Sequence, residues 1–498
     1  MSAVRTAIVW FRRDLRLTDH PALGAALAAA DRIVALYVHA PAEEAPWAPG
    51  AASRWWLHHS LTALDASLAA RGARLTIAAG PSLAALTAIA RASGASSVHW
   101  NRGYEPAQVA RDTAVKAGLR AAGVAAHSHP GDVLLEPWTV RNGQGEAFRV
   151  FTPFWRACQR ELGAVAPPRP APAAIAAAPH ASLPLAALGL LPRHRWDRGF
   201  AARWTPGEAG ALARLAAFLA ADAAHYAERR DRPDVPATSR LSPHLHFGEL
   251  SPRQVLAATL PLAGDAAAAR GAEAFLRELG WREFARHLLH AFPHTAAAPM
   301  DPRFDAMPWR TDPAALAAWQ HGATGVPLVD AGMRELWHTG WMHNRIRMVV
   351  ASFLTKNLGL SWLEGARWFH DTLLDADLAS NTLGWQWTAG CGADAAPYYR
   401  IFNPVLQAER YDPDRAYLRA WLPELARLPD QWLHRPFAAP REALAAAALR
   451  LGDEYPAPVV DLALSRERAL AAWQRLRGPQ PPGGTTQPAA PPRPARGR

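Results

Sequence analysis

The 498-residue sequence predicts an α/β N-terminal domain built on a doubly wound parallel sheet, followed by an all-α C-terminal domain. Three observations predict it. Short apolar, strand-like runs alternate with Ala/Leu-rich helical stretches through the first third. A Pro/Ala-rich segment with little periodicity follows at about residues 161–195. From about 205 to 475 helical patterns dominate, punctuated by Pro and Gly, with no strand alternation. The boundaries are 1–132 for the α/β domain, 133–204 for an interdomain linker, 205–475 for the helical domain and 476–498 for a tail.

Taken in order, AIVWF (7–11), RIVALYVHA (32–40), RLTIAAG (74–80) and SSVHWN (96–101) read as buried strands. SRWWLHHSLTALDASLAARG (53–72) reads as a helix that stops on Gly72. After the first strand a dinucleotide fold would carry GxGxxG, but FRRDLRLTDHPAL (11–23) stands there instead. A dinucleotide site of that kind is therefore not supported. In the second half, residues 208–230 read as one long amphipathic helix. The end, PPGGTTQPAAPPRPARGR, is low-complexity and is expected to be disordered. No internal repeat is present.

Composition narrows the class. Half the residues are hydrophobic and 19% are charged, which allows a large core. No apolar run reaches the roughly 20 residues of a membrane span. The start, MSAVRTAIVWFRRD, lacks the long apolar run of a secretory signal, so the cytoplasm is expected. Cys158 and Cys391 are the only cysteines and show no metal-ligand spacing, so neither a disulfide nor a metal is expected. The net charge of +11 suits an acidic partner such as nucleic acid. It rests on arginine, since Lys116 and Lys356 are the only lysines, and the abundance of alanine shows that compositional drift contributes. The 21 tryptophans are more than packing asks for and suggest stacking or redox work.

Four segments carry candidate chemistry. In RPDVPATSRLSPHLHFGELSPRQ (232–254), Thr238, Ser239 and Ser242 surround Arg240 and Leu241. The cluster is either a plain helix N-cap or an anion site. In FLRELGWREFARHLLH (275–290), Glu278, Trp281 and Arg282 share a helix face, as a binding surface or as an ordinary amphipathic helix. In TGWMHNRIRMVVASF (339–353), Asn344 and Met348 lie one turn apart with Arg345 and Arg347 beside them. An amide there can read a base edge or simply face solvent. DADLASNTLGWQW (375–387) offers Asp375, Asp377, Asn381, Trp385 and Trp387, as a binding site or as core.

Together these motifs, with WFRRDLRLTDH and TAGCGADAAPYYRIFNP, resemble the photolyase/cryptochrome family from about residue 5 to 475. The resemblance is strongest to bacterial cyclobutane pyrimidine dimer DNA photolyases. It implies an N-terminal antenna domain, a long interdomain loop and a helical domain that binds FAD. By similarity, Tyr226, Thr238, Ser239, Arg240, Leu241, Ser242, Arg347, Asp375, Asp377 and Asn381 contact FAD, with Asn381 facing the flavin N5. Trp385, Trp362 and Trp309 match an electron-transfer chain. Glu278, Trp281, Asn344, Met348 and Trp387 match the side chains around the lesion. Arg230, Arg282, Arg345 and Arg400 match positions near the DNA backbone.

The implied activity is that of a deoxyribodipyrimidine photo-lyase. It is light-driven repair of flipped-out pyrimidine dimers in UV-damaged DNA by a monomer without metal. The antenna chromophore is expected to be methenyltetrahydrofolate, with a deazaflavin or an empty site as alternatives. Ala107 and Gln108 stand where pterin-binding relatives carry an Asn-Glu pair. A cryptochrome-type photoreceptor is a rival, but Glu278, Trp281, Asn344 and Trp387 are all present and the tail is short. Repair of the (6-4) photoproduct is a second rival. It uses a histidine pair in this family, where GWMHN presents Asn344.

Overall fold

The computed structural model describes residues 4–395 and 399–477, so the expected disordered tail lies outside the described residues from 478 onward. Five strands form one parallel sheet: β1 Thr6–Phe11, β2 Arg32–His39, β3 Leu75–Ala79, β4 Ala95–Asn101 and β5 Ala125–His129. Their order is β3-β2-β1-β4-β5. The wholly buried TAIVWF of β1 takes the central place, as a run without polar alternation must. Helices α1 Pro21–Ala29, α2 Ala51–Ala69, α3 Ser82–Ser93 and α4 Pro106–Ala121 connect the strands. The winding reverses between β1 and β4, which opens a crevice at their carboxyl ends.

Two expectations need correction here. The span assigned to the linker contains a helix, α5 Phe151–Glu161. Its Phe151, Phe154, Trp155 and Cys158 are buried in the core of the helical domain. Before it, Leu134 N–H and Phe148 N–H donate to Glu283 and His287 of the helical domain, and after it residues 175–190 run along the α/β domain. Ala178 N–H donates to Ile33 O at 2.9 Å and Leu183 N–H to Ile77 O at 2.9 Å. The single helix over 208–230 is in fact two pieces, α6 Glu208–Ala221 and α7 Tyr226–Arg229, joined by a tight turn at Ala223–His225. That turn presses its carbonyls onto α10 Ala269–Ala291, where a Cβ on Gly271 would lie 2.0 Å from Ala223 O. Packing against a glycine thus overrides the local helical pattern.

The remaining helices that shape the site are α8 Ser242–His246, α9 Pro252–Ala263, α11 Pro313–Gln320 and α12 Pro327–Thr339. They are followed by α13 Asn344–Ser352, α14 Trp362–Thr372 and α15 Leu378–Ala389. α9 starts on a capping box formed by Ser251 and Gln254.

The segment after β1 clasps the two domains. Arg16 is 1% exposed and donates to the carbonyls of Thr18, Asp19, Gly131 and Gly248. Glu208 accepts from Leu17 N and Thr18 N, and Asp19 pairs with Arg253 at 2.6 Å. Gly248 sits at φ 62°, and a Cβ there would meet Arg13 O at 2.2 Å.

Candidate functional site

One group gathers on the loop before α8, the start of α13 and the entry to α15. Trp341 Nε1–H donates to Ser242 Oγ at 3.3 Å. The guanidinium of Arg240 lies 5.0 Å over the Trp341 ring and that of Arg347 at 5.9 Å. Arg347 pairs with the buried Asp375 at 2.8 Å. Arg240 holds a left-handed backbone, φ 51°, which is strained for a residue with a Cβ. Its Nε and Asp375 Oδ1 are buried without hydrogen-bond partners. Such atoms cost about 1–3 kcal/mol each unless a ligand satisfies them. Sequence reasoning gave Trp341 no role, although it stands inside the singled-out segment 339–353.

The hydroxyl cluster before α8 is not a side-chain cap. The N-cap position belongs to Leu241, which has no oxygen to offer, and Ser242 is the first helical residue. Ser239 Oγ accepts from Leu241 N at 3.4 Å. Tyr226 is buried against Phe218 and Phe275, and Arg230 lies 5.3 Å above its ring.

In α15 the carboxylates part. Asp377 caps the helix, accepting from Ser380 N at 2.8 Å, and pairs with Arg286 at 2.9 Å. Its carboxylate therefore lines the interdomain cleft and does not share the Arg347 pair of Asp375. Capping dictates this, because the carboxylate must turn back over the first helical N–H groups. Burial opposes its charge, but Arg286 and His246 hold it well below the usual carboxylate range. Asn381 Nδ2–H donates to Ala366 O of α14 at 2.9 Å, which fixes the amide. Trp385 is 2% exposed and packs on Phe369 at 5.0 Å and Trp319 at 6.1 Å. Trp362 and Trp309 belong to the same core.

The lesion-side candidates lie nearer the surface. Glu278 pairs with Arg230 at 2.5 Å, both about a quarter exposed. Trp281 stacks on Phe151 at 3.8 Å with 6° between the planes, so α5 takes one of its faces. Asn344 is exposed at the start of α13, after the capping residue His343. Met348 lies 3.9 Å from Arg345 Nη1, and Arg345 pairs with Asp231 at 2.8 Å. Trp387 donates from Nε1 to Asp394 O at 3.1 Å, and Arg400 lies 5.8 Å over its ring.

Arg282 does not belong with these. It pairs with Asp132 at 2.5 Å and also donates to Asp132 O, with its side chain only 11% exposed. The long side chain reaches from the helix face to the end of the α/β domain, so it ties the two domains.

A further cleft of about 610 Å³ opens at the switch point, lined among others by Arg12, Arg13, Glu105, Gln108, His246 and Asp377. Burial pushes Glu105 up to about 7, against the pull of Arg13. Gln108 Nε2 lies 3.3 Å from Glu105 Oε2.

Comparison with known proteins bears on both halves. Residues 7–173 match a family model described as DNA photolyase, and residues 275–475 one described as the FAD binding domain of DNA photolyase. The deoxyribodipyrimidine photo-lyase of Agrobacterium fabrum is 46% identical over 94% of this chain and 98% of its own. Cryptochrome-1 of Arabidopsis thaliana is 41% identical over 94% of this chain and 70% of its own. The crystal structure of a bacterial class III photolyase from Agrobacterium tumefaciens superposes with a TM-score of 0.91 at 44% identity, covering 96% of this chain and 98% of that one. Among the described residues no helix is long and apolar enough to cross a membrane.

Proposed function

The chain belongs to the DNA photolyase family, and on that premise we propose how its own residues carry the reaction. The protein is a deoxyribodipyrimidine photo-lyase that binds FAD and repairs cyclobutane pyrimidine dimers in DNA. When bound, FAD supplies the light-excited electron that opens the cyclobutane ring.

The cavity group fits FAD. An adenine dinucleotide brings two phosphates and a polar ring edge. Arg240 with its unpartnered Nε, the accessible Ser242 and the Thr238–Ser242 backbone suit the phosphates. Arg347 and the free Oδ1 of Asp375 suit the donors on the ring. Tyr226 closes the wall. One N–H of the Asn381 amide is committed to Ala366, which leaves its carbonyl oxygen and second N–H for the flavin N5, as acceptor or donor. Asp377 acts at one remove, by capping the helix that carries Asn381.

On the lesion side, Trp281 and Trp387 offer flat apolar faces to a flipped-out dimer, with Met348 packed behind. Glu278 and Asn344 hydrogen-bond its base edges, and Glu278 supports the charge that develops when the dimer gains an electron. Arg230, Arg345 and Arg400 meet the backbone and set affinity and salt dependence. Trp385, Trp362 and Trp309 relay electrons from the surface. No step needs a metal, and the reading places a monomer in the cytoplasm. The cleft at the switch point takes methenyltetrahydrofolate as antenna, with arginines for its carboxylates and Gln108 for the ring.

The observation that carries the reading is the division of the site. Arg240 and Asp375 carry buried polar atoms without partners, and the same helical domain presents a separate part-exposed set of aromatic and hydrogen-bonding side chains. The test is repair of a thymine-dimer oligonucleotide by reduced holoprotein, in light and in the dark. Thymines restored only in the light are expected. Flavin photoreduction with dimers persisting would turn the assignment toward the photoreceptor or the (6-4) reading.

A further inference from the structure

Two residues with separate tasks at the repair site are bonded to each other in the DNA-free protein. Glu278 is the hydrogen-bonding partner of the lesion, and Arg230 is a partner of the backbone. Yet Arg230 Nη1 lies 2.5 Å from Glu278 Oε1. Neither is locked in the core, since the side chains are 25% and 29% exposed. We propose that Arg230 is a specificity-determining residue, which holds Glu278 until a DNA phosphate takes its guanidinium. This rests on the repair reading and deepens it.

The argument is one of competing anions. A phosphate and a carboxylate both want the same guanidinium fork. Any DNA that docks draws Arg230 toward a phosphate and leaves Glu278 without its cation. What happens next depends on the base in the pocket. A flipped-out dimer brings imide N–H donors that satisfy the carboxylate. An undamaged strand keeps its bases stacked and leaves Glu278 with nothing. Breaking the pair is thus repaid for the lesion alone, which is discrimination through a penalty on the wrong partner.

The neighbouring pair sharpens the contrast. Arg345 pairs with Asp231 at 2.8 Å, but the Asp231 side chain is 41% exposed. Water can take over from Arg345 there, so losing that pair says nothing about the base. Of these two ion pairs, the one made by Arg230 holds the carboxylate that hydrogen-bonds the lesion.

The prediction runs against intuition: removing the charge of the lesion-binding acid tightens binding to undamaged DNA. Dissociation constants of flavin-loaded protein would be measured in the dark, on undamaged and dimer-containing duplexes. The set is wild type, Glu278→Gln, Arg230→Met and the double variant, with flavin content confirming that each is folded. Glu278→Gln is expected to tighten undamaged DNA by roughly two- to tenfold, the worth of a part-exposed charged pair. It should weaken the dimer duplex. In the Arg230→Met background the same change should leave undamaged DNA unaffected. No tightening in the wild-type background, or equal tightening in both backgrounds, would overturn the proposal; the latter is a general charge effect. The undamaged-DNA arm does not depend on repair. If wild type shows no preference for the dimer, the repair reading fails while that arm still reports on the exchange.

Discussion

At the scale of single residues, Gln386 shows how the site keeps two tryptophans apart in task. Its amide donates to Thr295 O at 2.8 Å and Ala298 O at 2.9 Å, and accepts from Met300 N at 2.9 Å. A buried amide so fully satisfied cannot rotate cheaply. It therefore sets the orientation of Trp385 toward the core and of Trp387 toward Asp394 and Arg400. On the proposed assignment the inner ring is left to electron relay. Trp362→Phe should slow flavin photoreduction by at least about tenfold, since a phenyl ring is far harder to oxidise. Protein reduced chemically beforehand should still repair dimers at the wild-type yield. Equal loss in both assays would show that Trp362 matters for packing only. Most residues of this site were legible as residue types in short motifs. The ion pairs of Arg282 with Asp132 and of Asp377 with Arg286 were not legible, because spacing gives a face of a helix but not which distant charge captures a long or capping side chain. Trp341 was passed over because nothing local distinguishes it; its role depends on Arg240 and Arg347 closing on its two faces' surroundings from separate segments.

At the scale of elements, Arg286 decides how α15 sits. It is 6% exposed and bridges Asp132, after the sheet, to Asp377 at the start of α15. Replacing it with Met would leave the buried Asp377 carboxylate without its cation, while Asp132 keeps Arg282. A loss of about 3–5 kcal/mol is expected, read by denaturant unfolding. The sign with pH follows from Asp377, whose folded-state value is depressed. Its pairing contributes fully above the unfolded value of about 4 and is lost in acid. The deficit of Arg286→Met should therefore be full at pH 7 and shrink as the pH falls below about 4; a constant deficit would place the effect in packing. The same scale shows what local pattern conceals. β1 to β4 were readable from continuous apolar runs, whereas β5, AAHSH, buries only Ala126 and owes its strand to the free edge of β4. α5 hid in a stretch judged by its Pro-rich sequel, and the break before α7 comes from a glycine on another helix.

At the scale of the whole molecule, the segment that replaces a Gly-rich nucleotide loop after β1 explains why the domains act as one body. FRRDLRLTDHPAL sends Arg16 between the domains and Asp19 onto Arg253, while Trp56 of α2 donates to Glu249 at 2.9 Å. The sequence showed what this loop was not, but only the fold shows that its charges serve an interface. The consequence is mechanical coupling. The cleft at the switch point is built from both sides of this clasp, with His246, Arg286 and Asp377 contributed by the helical domain. Arg16→Met would strand the carbonyls of Gly131 and Gly248, each otherwise paired at 2.9 Å. A cost of about 3–5 kcal/mol is expected for such a buried network. Its signature is loss of cooperativity rather than a lower midpoint alone. In wild type, release of flavin fluorescence and loss of near-ultraviolet circular dichroism should coincide on heating. In Arg16→Met the two transitions should separate, because the α/β and helical domains then unfold on their own terms. Coincident transitions in the variant would mean that the remaining contacts, Asp19 with Arg253 and Glu208 with the backbone of Leu17 and Thr18, suffice to hold the domains together.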